Sequence, residues 1–508
     1  DTLTLLDRAT HHFTTSLSTI EASSLNAPRL LKEFRKFFSD GVQNGVGEYK
    51  TYVIRNEAAN SERIASLLTL LDKNQIQYGT GSGTGKGYNY GTGKEEAFNV
   101  GSSDIIVSSF QPRSALVKVL FEPKSKLVDS ATYDISAWSL PYVYGLNAWA
   151  SRDRINPSGA VTRTAPVNTD ATYGYVMPWK GVQSVKVAGQ LLQKGVLLRY
   201  SEEPFEVNGN KFERGAIVVL RTANKSFGND LWSLVKKTAD ANGVQLYPVT
   251  TGFVDKGFDF GSGKIHPFRA PRVAMLTGEG VSSGAAGEIW HFFDQQLEYP
   301  LTLINANDAS RINWSDLDVL IMPDGNYRFL SDKSALETFK AWISKGGHVV
   351  ALESAVGQLS RAEFGIKSKK EDTDKKDSNS YDALKTFADR ERDAITGTTP
   401  GAIFRISLDN THPLAYGYPD YYYTLKMDDN IYEFMKDGGW NVGVLKKDNI
   451  LAGFVGTGLQ PKLKDGLLFG VQDLDGGTVT YLSDDIMFRS FWENGKLMLC
   501  NAVFLVGR

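Results

Sequence analysis

The first 48 residues carry hydrophobic positions at spacings of three and four, the pattern of amphipathic helices. The first predicted helix carries Leu3, Leu6, Ala9, Phe13, Leu17 and Ile20 on one face. The second begins at Pro28, a residue suited to a first helical turn, and carries Leu30, Leu31, Phe34, Phe37 and Phe38. Two such helices are not stable alone, so we expect them to pack on a neighbour.

From Tyr49, short apolar runs alternate with helical patterns, beginning with strands at 51–54 and 76–78 on either side of a helix. The same order returns further along the chain. Phe98 and Gly101 precede the strand at 105–107, as Phe212 and Gly215 precede the strand at 217–219. We interpret residues 49–268 as a duplicated α/β unit, although βαβ units resemble one another without duplication.

A third block, residues 269–508, begins with four predicted strands separated by helices, at 272–276, 301–304, 319–322 and 348–352. Ser331 is predicted to cap the helix before the fourth strand. From Ala402 the pattern is rich in strands and closes with a helix from Lys496. This alternation predicts an α/β fold with a flavodoxin-like, mostly parallel, doubly wound sheet. Residues 367–396 are highly charged and predict a surface insertion.

The stretch around residue 350 organises this block. Gly346 and Gly347 end a helix, and His348–Leu352 is apolar enough to be a strand covered on both faces. The sharp exit from such a strand is where α/β enzymes display a nucleophile. Glu353 stands at that exit, where cysteine or serine would be expected, and Ser354 follows one residue later.

Amidotransfer by a cysteine nucleophile also needs a histidine and an acid. His412-Pro413-Leu414 resembles the histidine-proline-glutamate of that class, with leucine in place of the acid that orients the imidazole. The sequence thus predicts the scaffold without its chemistry and no catalytic residues. Glu353 and Ser354 are candidates for a vestigial nucleophile elbow, which is the sharp turn between this strand and the next helix. With Glu279 they are predicted to line a cleft that binds a small polar ligand.

Other motifs do not indicate a cofactor. The glycine-rich run at 79–87 lacks the spacing of a phosphate loop and predicts a hairpin tip. None of the six histidines begins a zinc-protease pattern, and we predict no metal site in this chain. The acidic pairs Asp428-Asp429 and Asp484-Asp485 match no calcium loop and are interpreted as turns.

Composition describes an ordinary globular protein, with 42% hydrophobic and 22% charged residues. A net charge of −2 gives no electrostatic reason to expect nucleic acid as a partner. No apolar run approaches the roughly 20 residues of a membrane span. The single cysteine, Cys500, lies in an apolar helix and is predicted to be a buried, inert thiol.

Several motifs together resemble the region that follows the catalytic domain in large bacterial zinc carboxypeptidase-like proteins of the carboxypeptidase A superfamily. They are Leu5-Leu6-Asp7-Arg8, His12-Phe13-Thr14-Thr15-Ser16-Leu17, Ser109-Phe110-Gln111-Pro112, Asp134-Ile135-Ser136-Ala137-Trp138-Ser139-Leu140-Pro141, Leu276-Thr277-Gly278-Glu279-Gly280, Tyr481-Leu482-Ser483-Asp484-Asp485 and Phe488-Arg489-Ser490-Phe491-Trp492. The resemblance covers nearly the whole chain.

The resemblance implies a class I glutamine amidotransferase-like domain at 269–508 and an exported protein, secreted or periplasmic. It also implies an upstream peptidase domain that holds zinc, because none of that family's zinc ligands can be assigned to a position in this chain. We therefore expect a non-catalytic accessory region that supports the peptidase domain or its binding of peptide or glycan substrates.

Two alternatives are open. In the first, residues 269–508 keep a hydrolase or amidase site that uses Glu353 or Ser354. In the second, the chain is a carbohydrate- or protein-binding module. The second alternative requires exposed aromatic rings. The candidate rings are Tyr416, Tyr418, Tyr421, Tyr422 and Trp440.

Overall fold

The computed structural model describes residues 2–126, 134–163, 165–369, 386–447 and 449–507. Two helices open the chain, α1 (Leu5–Leu25) and α2 (Ala27–Asn44). Both were predicted, and Thr4 begins α1 with a capping box. The expected packing is not present, because α1 buries no residue and α2 buries only Gly41.

The first α/β unit is a six-stranded antiparallel sheet with order β2-β5-β1-β6-β3-β4. Its strands are β1 (Thr51–Ile54), β2 (Gly79–Thr80), β3 (Gly83–Asn89), β4 (Lys94–Val100), β5 (Ile105–Ser108) and β6 (Ala148–Ser151). Its helices are α3 (Ser61–Lys73), α4 (Ser114–Phe121) and α5 (Leu140–Val143).

The second unit is a five-stranded antiparallel sheet with order β12-β7-β11-β8-β13, beside a separate hairpin of β9 and β10. Its elements are β7 (Gly174–Met177), α6 (Val182–Gln193), β8 (Leu198–Ser201), β9 (Phe205–Val207), β10 (Asn210–Phe212), β11 (Ile217–Leu220), α7 (Asp230–Ala241), β12 (Tyr247–Val249) and β13 (Ile265–Phe268). Strands β2-β5-β1-β6 and β8-β11-β7-β12 follow the same order. A duplicated unit would have this arrangement, and the duplication stays a prediction.

The third unit is a ten-stranded sheet with order β15-β14-β16-β17-β23-β22-β20-β18-β19, in which β21 also pairs with β18. Its strands are β14 (Val273–Thr277), β15 (Leu301–Asn305), β16 (Val319–Met322), β17 (His348–Leu352), β18 (Gly401–Leu408), β19 (Tyr421–Lys426), β20 (Gly439–Leu445), β21 (Ile450–Phe454), β22 (Gly466–Leu474) and β23 (Gly477–Leu482). The first five strands in this order are parallel, as predicted, and the others are antiparallel.

Helices flank this sheet, namely α8 (Ser283–His291), α9 (Lys333–Ser344), α10 (Ser354–Arg361), α11 (Arg390–Thr396) and α12 (Glu493–Phe504). The predicted cap at Ser331 is wrong by one residue, because Asp332 accepts the Ala335 N–H at 2.8 Å. Part of the predicted charged insertion, 370–385, lies outside the described residues. Its described flanks are mostly exposed.

Two local predictions in the first unit are wrong. The glycine-rich run is not a hairpin tip, because residues 83–89 form β3, which pairs with β4 and β6. A Cβ at Gly87 would lie 2.4 Å from the Ala150 carbonyl oxygen, so close strand contact explains glycine there. Residues 76–78 are not a strand, since the Gln111 side chain takes both the N–H and the C=O of Gln77.

The last helix, α12, joins the three units. Every residue of α12 except Glu493 is buried. Asn494 accepts a hydrogen bond from Arg63 of the first unit, and Asn501 accepts one from the Trp179 indole of the second unit. Within the described ranges no helix has the length and apolar character that crossing a membrane requires.

Candidate functional site

The predicted elbow between β17 and α10 is present. Glu353 has φ 49° and ψ −121°, a conformation that side chains rarely adopt. Its N–H donates to the Leu482 carbonyl at 2.8 Å, which ties the turn to the end of β23. All five residues of β17 are buried. The geometry displays the residue-353 side chain at the carboxyl edge of the parallel strands.

The Glu353 carboxyl lies among other acids. Burial, followed by the charges of Asp485 and Asp324, raises the pKa of Glu353 to about 9. The group is therefore protonated at neutral pH. A protonated carboxyl is neither a nucleophile nor a general base, but it can donate a hydrogen bond.

Two of these acids form a carboxyl pair beside the elbow. Glu288 on α8 and Asp485 after β23 share a hydrogen bond. Burial and the adjacent Asp485 carboxylate raise the pKa of Glu288 well above its usual range, so the shared proton lies on Glu288. This pair holds α8 against the segment that follows β23.

A buried lysine neutralises the next layer of acids. The Lys426 ammonium is fully buried and lies 2.7 Å from Asp484 and 2.6 Å from Asp428. Burial opposes the charged form of Lys426, but the two carboxylates outweigh it and raise its pKa. The predicted turns at these acidic pairs are thus also the anchors of a buried ion cluster.

Ser354 lines a shallow pocket of about 630 Å³ at this edge. Its hydroxyl contacts the Asp324 carboxylate and accepts the Gly325 N–H at 3.0 Å. The pocket is polar, and its lining includes Gly280, Ser282, Asp324, Asn326, Ser354 and Gln358. Such a surface suits a small polar ligand better than an apolar one.

The other two residues predicted to bind a ligand, Glu279 and Glu353, do not line this pocket. Glu279 is exposed and contacts Asn307 at 3.4 Å, outside the pocket lining. Glu353 lies beside the pocket but is not among its lining residues. The structure therefore brings Ser354 into the pocket, with Glu353 next to it and Glu279 apart.

His412 does not reach the elbow. It follows β18, and three strands, β23, β22 and β20, lie between β18 and β17. At the usual strand spacing, β17 and β18 are therefore about 19 Å apart. Its ring packs against Trp440 on β20. In the strand register, Trp440 is in the same row across the sheet as Val350 of β17. Burial lowers the pKa of His412 to about 4, and its Nδ1 accepts the Leu414 N–H. The interpretation of His412 as a remnant of a catalytic histidine is not supported by this position.

Most of the candidate aromatic rings are internal. Tyr416, Tyr418 and Tyr422 are buried in the core, Tyr421 is partly buried, and only Trp440 is more than half exposed. These residues do not form a common exposed surface.

No three metal-binding side chains of the described residues are arranged to hold an ion. Cys500 is buried, as predicted, and burial raises the pKa of its thiol. The sequence contains no other cysteine. Two hydroxyls line the pocket, those of Ser354 and Ser282, and the Ser282 hydroxyl caps α8 by accepting the Ala285 N–H.

Sequence reasoning missed four residues of this site, namely Glu288, Asp324, Lys426 and Asp485. Asp324 and Asp485 follow the ends of parallel strands β16 and β23, where ligand sites collect in α/β sheets. That signal was present in the sequence. Lys426 and Glu288 had no comparable signal, because their positions depend on how distant segments pack.

No protein-family model and no curated protein matches the chain. Solved structures with similar folds include a ThuA-like protein from Bacteroides uniformis, 14% identical over 46% of this chain and 90% of that one, with a TM-score of 0.30. A GMP synthase component from Thermoplasma acidophilum is 9% identical over 46% and 92%, at 0.29. A glutamine amidotransferase from Thermotoga maritima is 7% identical over 46% and 96%, at 0.29.

These TM-scores carry no argument about chemistry, and none of the three comparisons supports a carboxypeptidase parent. The chain is a mixed α/β protein with a parallel sheet, and its structural neighbours include amidotransferase-like and ThuA-like folds.

Proposed function

We propose that this chain is a non-catalytic accessory region of an exported zinc carboxypeptidase-like protein. In this proposal it supports a peptidase domain of the same polypeptide, and its elbow pocket binds a small polar ligand without transforming it. Any zinc would belong to the peptidase domain.

The proposal that the chain is non-catalytic rests on the residue at the elbow. Position 353 has the backbone of a nucleophile elbow but presents a carboxyl with a pKa of about 9. The histidine expected from the sequence follows β18, which is separated from β17 by three strands of the sheet, and its ring packs against Trp440 on β20. A protonated carboxyl without an imidazole partner offers a hydrogen-bond donor to a ligand but no nucleophile to a substrate.

The carboxypeptidase context rests on the sequence motifs. Several of their residues hold the fold together instead of facing the pocket. Ser136 donates to the Gly401 carbonyl and accepts the Phe454 N–H, and Gln111 fixes the backbone of Gln77. Motifs of this kind favour a shared architecture, which is what an accessory region requires.

The test is an activity assay with a matched variant. The chain is incubated with amide, ester and peptide substrates, with and without added zinc, beside Glu353→Gln. We expect the same background rate from both proteins. Turnover that depends on Glu353 would contradict the proposal.

A second function, hydrolysis by Ser354, is favoured by one observation. The Ser354 hydroxyl contacts the Asp324 carboxylate and faces the pocket. A carboxylate is a weaker activating base than the imidazole of a serine triad. We therefore rank this function below ligand binding.

A fluorophosphonate probe separates the two functions. Hydrolysis by Ser354 predicts covalent labelling of the chain and its loss in Ser354→Ala, with labelling retained in the exposed control Ser283→Ala. A pocket that only binds ligand predicts no labelling of either protein.

A further inference from the structure

The helical arm, formed by α1 and α2, leaves its apolar face uncovered. Eleven large apolar side chains of the arm are between 45% and 83% exposed, among them Leu17, Phe13 and Phe34. The arm contacts the body near its end, where a Cβ at Gly41 would lie 3.2 Å from Ser114. Monomeric proteins rarely expose contiguous apolar surface of this extent.

Most of the uncovered apolar residues lie on one side of each helix. Leu5, Ala9, Phe13 and Ile20 recur at spacings of four and seven along α1, and Leu30, Phe34 and Phe37 recur at spacings of four and three along α2. The two apolar faces do not cover each other, because α1 has no buried residue. Within the described chain, each face is therefore uncovered.

The exposed area is large enough for a stable dimer. Eleven side chains of this size, exposed to this degree, present on the order of 1,000 Å² per copy, above the roughly 800 Å² per partner of a standard interface. Two arms would together form a four-helix bundle, a common way of burying two amphipathic helices per chain.

The charges favour a second copy of this chain over a lipid surface. Helix α1 has two acids, Asp7 and Glu21, against one arginine, whereas α2 has four basic residues against two acids. Packing α1 of one copy on α2 of the other brings opposite net charges together. A lipid-binding arm would be basic on both helices.

From these observations we propose that the helical arm is a homodimer interface, in which the apolar faces of α1 and α2 pack on those of a second copy. The proposal is independent of any ligand in the elbow pocket. The arm is peripheral to the three units, so its surface residues can be changed without disturbing their cores.

Sedimentation velocity and light scattering of the full chain test the proposal. We expect a species of twice the 56.0 kDa chain mass at tens of micromolar protein. Leu17→Glu, on the apolar face, should give the monomer. Thr15→Glu, on the polar face with His11 and Ser18, adds the same charge and should leave the dimer intact.

Three outcomes would overturn the proposal. They are a wild-type chain that is monomeric at every concentration, a Leu17→Glu chain that remains dimeric, and a monomeric chain that co-sediments with vesicles of anionic phospholipid. Unchanged thermal unfolding of the body in Leu17→Glu shows that loss of the dimer is not loss of the fold.

Discussion

At the scale of single residues, Glu353 should make the protein less stable as pH rises. Its pKa is 4.5 in the unfolded chain and about 9 in the fold, so between these values the native state holds a proton that the unfolded state has lost. The free energy of unfolding therefore falls with pH across this window, by at most about 1.4 kcal/mol per pH unit for one proton.

Glu353→Gln removes this titration while keeping the shape and the hydrogen-bond donor. We expect denaturant unfolding of the variant to depend less on pH between about pH 5 and pH 9 than that of the wild type. Glu337→Gln makes the same substitution at an exposed position of α9 and is the matched control. Equal slopes for the wild type and Glu353→Gln would show that Glu353 is ionised in the fold.

Lys426 should be among the most sensitive residues of the third unit. Lys426→Met leaves Asp484 and Asp428 without their cation, and Asp484 is fully buried. We expect a loss of about 3–5 kcal/mol in urea unfolding. Lys447→Met breaks only an exposed pair of 4.0 Å with Asp465 and should change stability by less than about 1 kcal/mol. Similar small losses for both would mean that water screens the buried pair.

At the scale of elements, the elbow stores backbone strain. Glu353→Gly and Glu353→Ala both remove the carboxyl, but only glycine adopts a φ of 49° without a Cβ clash. We expect the glycine variant to be more stable than the alanine variant by about 1 kcal/mol in thermal or denaturant unfolding. The reverse order would indicate that the turn relaxes once the carboxyl is gone.

The elements themselves were largely predictable, because continuous apolar runs such as Val319–Met322 and His348–Leu352 have few alternatives to a buried strand. The elbow was also predictable, since it follows from a strand that ends at a helix. Strand β3 was not, because Gly87 is required by the close backbone of β6, and that contact has no local signal.

The chemistry of the site was predictable only in part. Glu353 was identified at the elbow, but its protonation depends on its burial and on the charge of Asp485, which is distant in the chain and meets it only in the fold. The His412-Pro413-Leu414 motif was misleading for the same reason. A short motif does not reveal how far apart in the sheet its histidine and the elbow residue will lie.

At the scale of the whole molecule, α12 should make the three units unfold together. The Asn501 amide donates to the carbonyls of Leu414 and Tyr416 and accepts the Trp179 indole N–H. Asn501→Leu leaves all three groups buried without partners, and we expect a loss of about 2–4 kcal/mol in a single calorimetric transition.

Asn210→Leu, at an exposed position of the second unit, is the control and should leave the transition unchanged. Two separate transitions in Asn501→Leu, with the second unit melting first, would show that α12 couples the units less tightly than its contacts imply.

The central position of α12 also affects how the chain acquires its fold during synthesis. The ribosome releases the first two units long before it releases residues 493–504, so Arg63 and Trp179 must wait for their partners on that late helix. Until then, both units expose surfaces meant for the interior. We therefore expect the last step of folding to follow the arrival of α12.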